Sequence, residues 1–283
     1  MAPPVPSLDG RLCVVTGAAS GIGRATAQAI AAAGGRLVLT DLRADALAAA
    51  AAGLGDAVVL QRALDIADVD AVGALAETTH AAHGSVDVVA NVAGIATWGA
   101  VDRLSHAQWR RTVDVDLMGP IHVIEAFVPA MMRAGRGGQL VNVSSAAGLV
   151  ALPWHAPYSA AKFGLRGVSE VLRFDLRRHR IGVTLVCPGG VDTGLVDTVD
   201  IAGIDMEALR AGGFAERFRR HAKSSEHVAA RIVDGIVRNR KLVHTSADIR
   251  LLYGLERFAP PVYEVAMRVV NARVVAELER AER

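Results

Sequence analysis

Tyr158 and Lys162 stand four residues apart in the run Tyr158-Ser159-Ala160-Ala161-Lys162. On a helix that spacing puts two side chains on one face, here a phenol beside an ammonium. A free tyrosine titrates near pH 10, so acid/base work near neutrality needs its pKa lowered by roughly 2–3 units. A fixed cation a few ångströms away favours the phenolate and could supply much of that shift. Ser145 stands 13 residues ahead of Tyr158. Its hydroxyl could donate to a substrate carbonyl while Tyr158 gives or takes the proton. Tyr-x-x-x-Lys alone is also what an amphipathic surface helix carries. The serine ahead of it, and a glycine turn at the other end of the chain, set this one apart.

The flanking pattern says what must hold these residues. Residues 141–143 are an apolar run that ends in Ser144 and Ser145, as a buried strand would, and Pro157 marks a helix start. The carboxyl end of a strand is where α/β proteins place their ligands. Near the beginning, residues 11–16 form another apolar run, followed at once by Gly17-Ala18-Ala19-Ser20-Gly21-Ile22-Gly23 and an alanine-rich helix to about Gly34. Strand, glycine turn and helix make the setting of a dinucleotide site. The glycines admit a pyrophosphate close to the backbone, and the helix N-terminus offers free N–H groups. An ordinary tight turn is the bland alternative, and three glycines in this frame argue against it.

Residues 37–40 read as a second strand ending at Asp41, 18 positions past Gly23. An acidic residue near that offset accepts hydrogen bonds from the adenosine ribose. Its charge would repel a 2′-phosphate by roughly 1–4 kcal/mol at a few ångströms. NAD is therefore expected over NADP. Arg24 and Arg43 could reverse this, but both read as solvated arginines at helix starts.

The rest alternates: helix 44–53, strand 58–64 closed by Asp65 and Ile66, helix 68–83, strand 86–91 ending in Asn91-Val92-Ala93-Gly94, long helix 108–132, then the serine strand and the Tyr158 helix. Strand 183–187 leads into Pro188-Gly189-Gly190-Val191-Asp192-Thr193. Such alternation implies a parallel sheet with right-handed crossovers, and there is no sign of an internal boundary or repeat. With 52% hydrophobic and 21% charged residues the chain is globular, and a net charge of +2 points to neither nucleic acid nor an acidic substrate. No apolar run approaches the roughly 18 residues that span a bilayer, and the first residues lack a signal-peptide pattern. Cys13 and Cys187 lie in strand-like runs, so buried thiols in a reducing, cytoplasmic setting are expected. The histidines show no ligand spacing, so no metal is expected.

Taken together, Thr16-Gly17-x-x-x-Gly21-Ile22-Gly23, Asn91-x-Ala93-Gly94, Ser145, Tyr158-x-x-x-Lys162 and Pro188-Gly189-x-Val191-x-Thr193 resemble the short-chain dehydrogenase/reductase family over about residues 8–245. The resemblance implies a single Rossmann-type, doubly wound parallel sheet of about seven strands with helices on both faces. It implies a nicotinamide cofactor and the oxidation of an alcohol or reduction of a ketone. By carry-over, Ser145 orients the carbonyl, Tyr158 is the general acid/base, and Lys162 holds the nicotinamide ribose and lowers the Tyr158 pKa. Gly17, Ser20, Gly21, Ile22 and Gly23 would hold the pyrophosphate, and Asp41 the adenine ribose. Asp65 and Ile66 would flank the adenine, with Asn91, Ala93, Gly94, Pro188, Gly189 and Val191 along the cofactor and Thr193 on its carboxamide. A homotetramer or homodimer, built through the helices at 107–133 and 158–179, is also implied. One position departs: where the family carries a catalytic asparagine, this chain has Asp116, which puts its proton relay in question.

The substrate pocket should be formed by residues 94–98, 146–155 and the segment after Thr193, within a loop at 194–222. Trp98, Leu152, Trp154 and His155 are the candidate contacts, and their character suggests an apolar secondary alcohol or ketone; mere loop packing is the equal alternative. Residues 1–246 read as the catalytic domain and 247–283 as its helical C-terminal extension. Residues 216–241 carry eight basic residues against three acidic, whereas 247–283 balances six arginines with six acids. That balance speaks against a membrane-surface role, since interfacial helices are usually basic. The segment could cap the substrate site, dock on a partner subunit or lie on a membrane, and docking onto protein is the preferred reading. A non-catalytic dinucleotide sensor and an NADP-dependent ketone reductase are the alternative functions.

Overall fold

The computed structural model describes residues 5–192, 199–203 and 222–281; Thr193 and most of the loop at 194–222 lie outside the described residues. Seven strands form one parallel sheet: β1 (Leu12–Thr16), β2 (Arg36–Asp41), β3 (Val58–Ala63), β4 (Val88–Asn91), β5 (Gly138–Val143), β6 (Ile181–Cys187) and β7 (Leu242–His244). Their order across the sheet is β7-β6-β5-β4-β1-β2-β3. The order reverses direction between β1 and β4, which opens a crevice at the carboxyl ends of those strands.

The strands are nearly all apolar because both sheet faces are covered. Alternate residues point to opposite faces. Cys13, Val15, Leu37 and Leu39 pack under α1 (Gly21–Ala32), α2 (Ala44–Ala52) and α7 (Ser225–Val237), through Ile30, Leu47 and Ile232. Leu12, Val14, Val38 and Val89 pack under α3 (Val69–His83), the helix at 106–134 and α6 (Ala156–Asp175), through Leu75, Phe127 and Val123.

The long helix expected at 108–132 is two helices in one line, α4 (His106–Val113) and α5 (Gly119–Ala134), joined by a π-helical turn at Asp114–Met118. By length and composition this 106–134 rod could cross a membrane, but half of its most apolar window is buried against the sheet, as befits a core helix. Widened turns of this kind often occur at functional sites, and this one carries Asp116.

After β7 the chain forms α8 (Ala247–Phe258) and α9 (Pro260–Ala281). The expected extension is thus helical, and its inner face packs on its own chain. Ile249 is buried with Leu149, Val150 and Cys187. Tyr263 donates to the Ala151 carbonyl at 2.9 Å. The outer face stays exposed at Leu251, Phe258, Val262 and Val265.

Candidate active site

The glycine turn leaves β1 at Gly17, whose φ of +69° favours glycine. A Cβ there would stand 2.8 Å from the Ala93 Cα, and a Cβ on Gly23 would stand 2.0 Å from the Gly17 carbonyl oxygen. The glycines therefore let the turn, helix α1 and the loop after β4 close on one another. Thr16 locks this junction, its hydroxyl accepting from the backbone N–H groups of Val92 and Ala93, both at 3.0 Å. Ser20 precedes α1, but no side chain caps the helix. Its first N–H groups are free to meet an anion.

Asp41, at the end of β2, is buried and accepts from the Ala19 N–H at 3.0 Å. Its other oxygen accepts from the Arg43 N–H at 3.0 Å, and the Arg43 guanidinium reaches Ser20 Oγ at 2.7 Å. Asp65 accepts from the Ala67 N–H and from Arg111, both at 2.9 Å. Burial alone would raise the Asp65 pKa, yet those two donors hold it below the ordinary value. Ile66 spends its side chain in the core, against Gly119. An uncapped helix behind close-packed glycines, with a buried carboxylate one strand away, is an arrangement that fits a dinucleotide.

The crevice runs into a cavity of about 340 Å³, within the range of small-molecule sites. Its wall is mostly apolar, and Ser145, Tyr158 and Lys162 all line it. Ser145 follows β5, its hydroxyl accepts from the Ala147 N–H at 3.2 Å, and its nearness to Tyr158 favours the phenolate. Lys162 Nζ lies 5.4 Å from the Tyr158 ring centroid, so the helical spacing does put the two side chains together. Ser144 Oγ donates to the Lys162 carbonyl at 3.0 Å and ties α6 to the strand that carries Ser145. Ile22, Gly94, Pro188, Gly189 and Val191 also border the cavity, as do Trp98, Leu152 and His155.

Asp116 is fully buried. Its Oδ1 accepts from the Ile95 N–H at 2.8 Å, and its Oδ2 is ion-paired with Lys162 Nζ at 3.3 Å. Gly94 makes room for this pair: a Cβ there would lie 3.0 Å from Asp116 Oδ1 and 3.2 Å from Lys162 Nζ. Burial raises the Asp116 carboxyl above the carboxylate range, opposed by Lys162. Burial disfavours the Lys162 ammonium more than any one neighbour favours it, but the Asp116 charge and hydrogen bond together with the Tyr158 oxygen outweigh it and hold the lysine above its ordinary pKa.

Three sequence expectations are corrected here. Tyr158 is not lowered: burial raises its pKa, and Asp116 cancels part of what Lys162 would take off. Asn91 does not face the cavity, since its amide N–H₂ donates to the Pro120 carbonyl at 3.3 Å and to Asn142 Oδ1 at 2.9 Å, within the core. Trp154 does not line the pocket; it packs on the cluster of Ala96, Val199 and Ile201 that Val274 of α9 also joins. Its φ of +68° is rare for a bulky side chain. Sequence reasoning had no role for Thr16 or Ser144 at this site, and it named the segment that holds Val199 without singling that residue out. Only Thr16 carried a signal, its place just before the glycine turn.

A family model described as short chain dehydrogenase matches residues 11–202. A Mycobacterium tuberculosis chain named as an oxidoreductase, SadH, is 38% identical over 275 residues, covering 95% of each chain. A D-threitol dehydrogenase of Mycolicibacterium smegmatis is 40% identical over 190 residues, 66% of this chain and 73% of that one. Among solved structures, a short chain dehydrogenase/reductase of Burkholderia phymatum in complex with NAD superposes with a TM-score of 0.79 at 30% identity, over 89% of this chain and 95% of that one.

Proposed function

Because the chain belongs to the short chain dehydrogenase family, and is therefore an NAD(P)-dependent oxidoreductase of CH–OH groups, we propose that it interconverts an apolar secondary alcohol and its ketone with NAD(H). The observation that carries this reading is the meeting of Ser145, Tyr158 and Lys162 on one mostly apolar cavity that opens from the glycine turn.

A nicotinamide dinucleotide, when bound, would supply the hydride chemistry. The free N–H groups at the start of α1 would hold its pyrophosphate, and Asp41 would accept from its adenosine ribose. Ser145 holds the substrate oxygen through its hydroxyl. Tyr158 takes the proton from that oxygen in oxidation and returns it in reduction. Lys162 stays an ammonium and favours the phenolate, while Asp116 and the Ser144 bond fix where it stands. Ile95, Ala96, Leu152 and Val199 exclude water and accept the apolar body of the substrate.

The test is turnover of a panel of secondary alcohols with NAD and with NADP, followed by absorbance of the reduced nicotinamide. Oxidation of apolar alcohols with NAD supports the reading. Tight nucleotide binding without turnover of any alcohol or ketone would overturn it and favour a dinucleotide sensor. Arg43 keeps a second reading open, since its guanidinium bridges Ser20 and Asp41 where a 2′-phosphate would arrive. Faster turnover with NADP would select that reading. We also read the exposed Val171 and Phe174 of α6 as a subunit contact. A monomer by light scattering at working concentration would refute this.

A further inference from the structure

Among the described residues, the cavity wall beyond Ser145 and Tyr158 holds an imidazole that the acid/base chemistry leaves unused. His155 lines the wall just before α6. Its Nδ1 lies 2.7 Å from the Pro153 carbonyl oxygen. A carbonyl only accepts, so Nδ1 carries the proton and Nε2 presents a lone pair. Nε2 has no hydrogen-bond partner among the described residues and is not sealed off as a buried orphan. Burial lowers the His155 pKa, which keeps the ring neutral and Nε2 an acceptor. The ring is held on a second side by Trp98, at 4.5 Å between centroids and 35° between planes. The Trp98 indole N–H is itself buried without an acceptor. Ile95, Ala96, Leu152 and Val199 around this pair offer no polar side-chain group.

The His155 ring centroid is 6.3 Å from that of Tyr158. A small molecule whose carbinol sits at Ser145 and Tyr158 thus reaches His155 within the width of a single ring. We propose that the substrate is an apolar alcohol with a second hydroxyl a few bonds from the reacting carbinol, and that His155 Nε2 accepts from that hydroxyl. A hydroxyl suits this corner because it can donate to the imidazole lone pair, whereas an ether or ketone oxygen can only accept.

This inference rests on the alcohol-dehydrogenase reading of the same site, and the experiment separates the two. Cyclohexanol and the cis and trans isomers of 1,2-, 1,3- and 1,4-cyclohexanediol are compared as substrates of the full chain with NAD, as ratios of kcat/KM. In the wild type, at least one diol should exceed cyclohexanol by roughly three- to tenfold, the worth of one neutral hydrogen bond. His155→Phe keeps the ring and removes the acceptor, and should bring that ratio within about twofold of one. His155→Gln, which restores an acceptor, should recover part of the preference. The ratio is taken within each variant, so a general loss of activity cancels. Oxidation of cyclohexanol with no diol preferred, or a preference that survives in His155→Phe, overturns the proposal and leaves the dehydrogenase reading standing. Binding of the reduced nucleotide with no turnover of any of these alcohols overturns both.

Discussion

At the nucleotide end of the cavity the walls are backbone, and at the substrate end they are side chains. Gly17 and Gly23 are fixed by contacts at which even a methyl group would collide with main chain, and Thr16 staples the turn to the loop after β4. The substrate end is assembled from segments far apart in sequence. Trp98 and Ile201 sit on a short parallel ladder, with Thr97 paired to Asp200. Leu152 and Trp154 lean on the C-terminal helices through Tyr253, Tyr263 and Val274. Backbone packing tolerates almost no variation, so one end can serve a fixed cofactor. Side-chain packing can be exchanged residue by residue, which lets the other end be fitted to a particular alcohol. Tyr158 and Lys162 stand where the two meet.

The largest effect should come at that junction. Tyr158→Phe removes the transferable proton and little else, so kcat should fall by about 10²- to 10⁴-fold. Nucleotide affinity, measured by fluorescence of the reduced cofactor, should stay within about twofold, because one hydrogen bond is the most that is lost. A variant that keeps half its activity would take Tyr158 out of the mechanism.

This contrast also explains what the sequence could reveal. Backbone constraints leave glycines at fixed spacings, so the turn at Gly17, Gly21 and Gly23, the parallel order of the strands and the pairing of Tyr158 with Lys162 were all readable. The substrate wall rests on tertiary packing. No spacing rule places Val274 and Trp154 on one hydrophobic cluster, or Ile249 against the loop after β5. Asn91 looked like a site residue because it ends a strand beside the crevice, but register pairs it with Asn142 and turns its amide to the core. The expected lowering of Tyr158 left out burial. The desolvation that raises the pKa depends on how deep the helix lies, which spacing does not encode.

At the substrate end, Ile249→Ala should act through packing. Ile249 is buried, and a Cβ on Gly189 would lie 2.7 Å from its Cδ1. Truncation should cost about 2–4 kcal/mol of stability, as a cavity in a packed core does. It should raise KM for the alcohol more than for the nucleotide. Deleting 247–283 should go further and cause aggregation by baring Leu149 and Val150. Urea denaturation and light scattering check these outcomes, and an unchanged midpoint for Ile249→Ala would show the helix pair to be a passive appendage.

At the nucleotide end, Asp41→Asn removes the charge that faces a 2′-phosphate. An NAD preference of about tenfold, worth roughly 1.4 kcal/mol, should fall towards parity by calorimetry. Equal binding of both nucleotides to the wild type would shift the decision to Arg43.

The smallest effect should come from Asp116, and its sign separates two roles for the buried carboxylate. Asp116 acts on Tyr158 directly, because a negative charge nearby disfavours the phenolate and adds to the raised pKa. It also acts through Lys162, whose ammonium it keeps charged against the penalty of burial. The direct effect raises the Tyr158 pKa and the indirect one lowers it. Asp116→Asn removes both, although the amide can still hold its place beside the Ile95 N–H. Among the described residues, Cys187 and His155 also lie close to this cluster; burial pushes the thiol up to about 12 and lowers the imidazole, so both stay neutral through the working range. Lys162 also gains from the Tyr158 phenolate as that forms, which helps preserve its charge in the variant. The direct effect should therefore win. The rising limb of kcat/KM in the oxidation direction should move to lower pH in Asp116→Asn, by a fraction of a unit to roughly one unit. A move to higher pH would show that the carboxylate matters chiefly as the counter-ion that keeps Lys162 charged. Superimposable profiles would mean that the carboxyl is already neutral in the working enzyme and that Asp116 is there only to hold the Ile95 N–H.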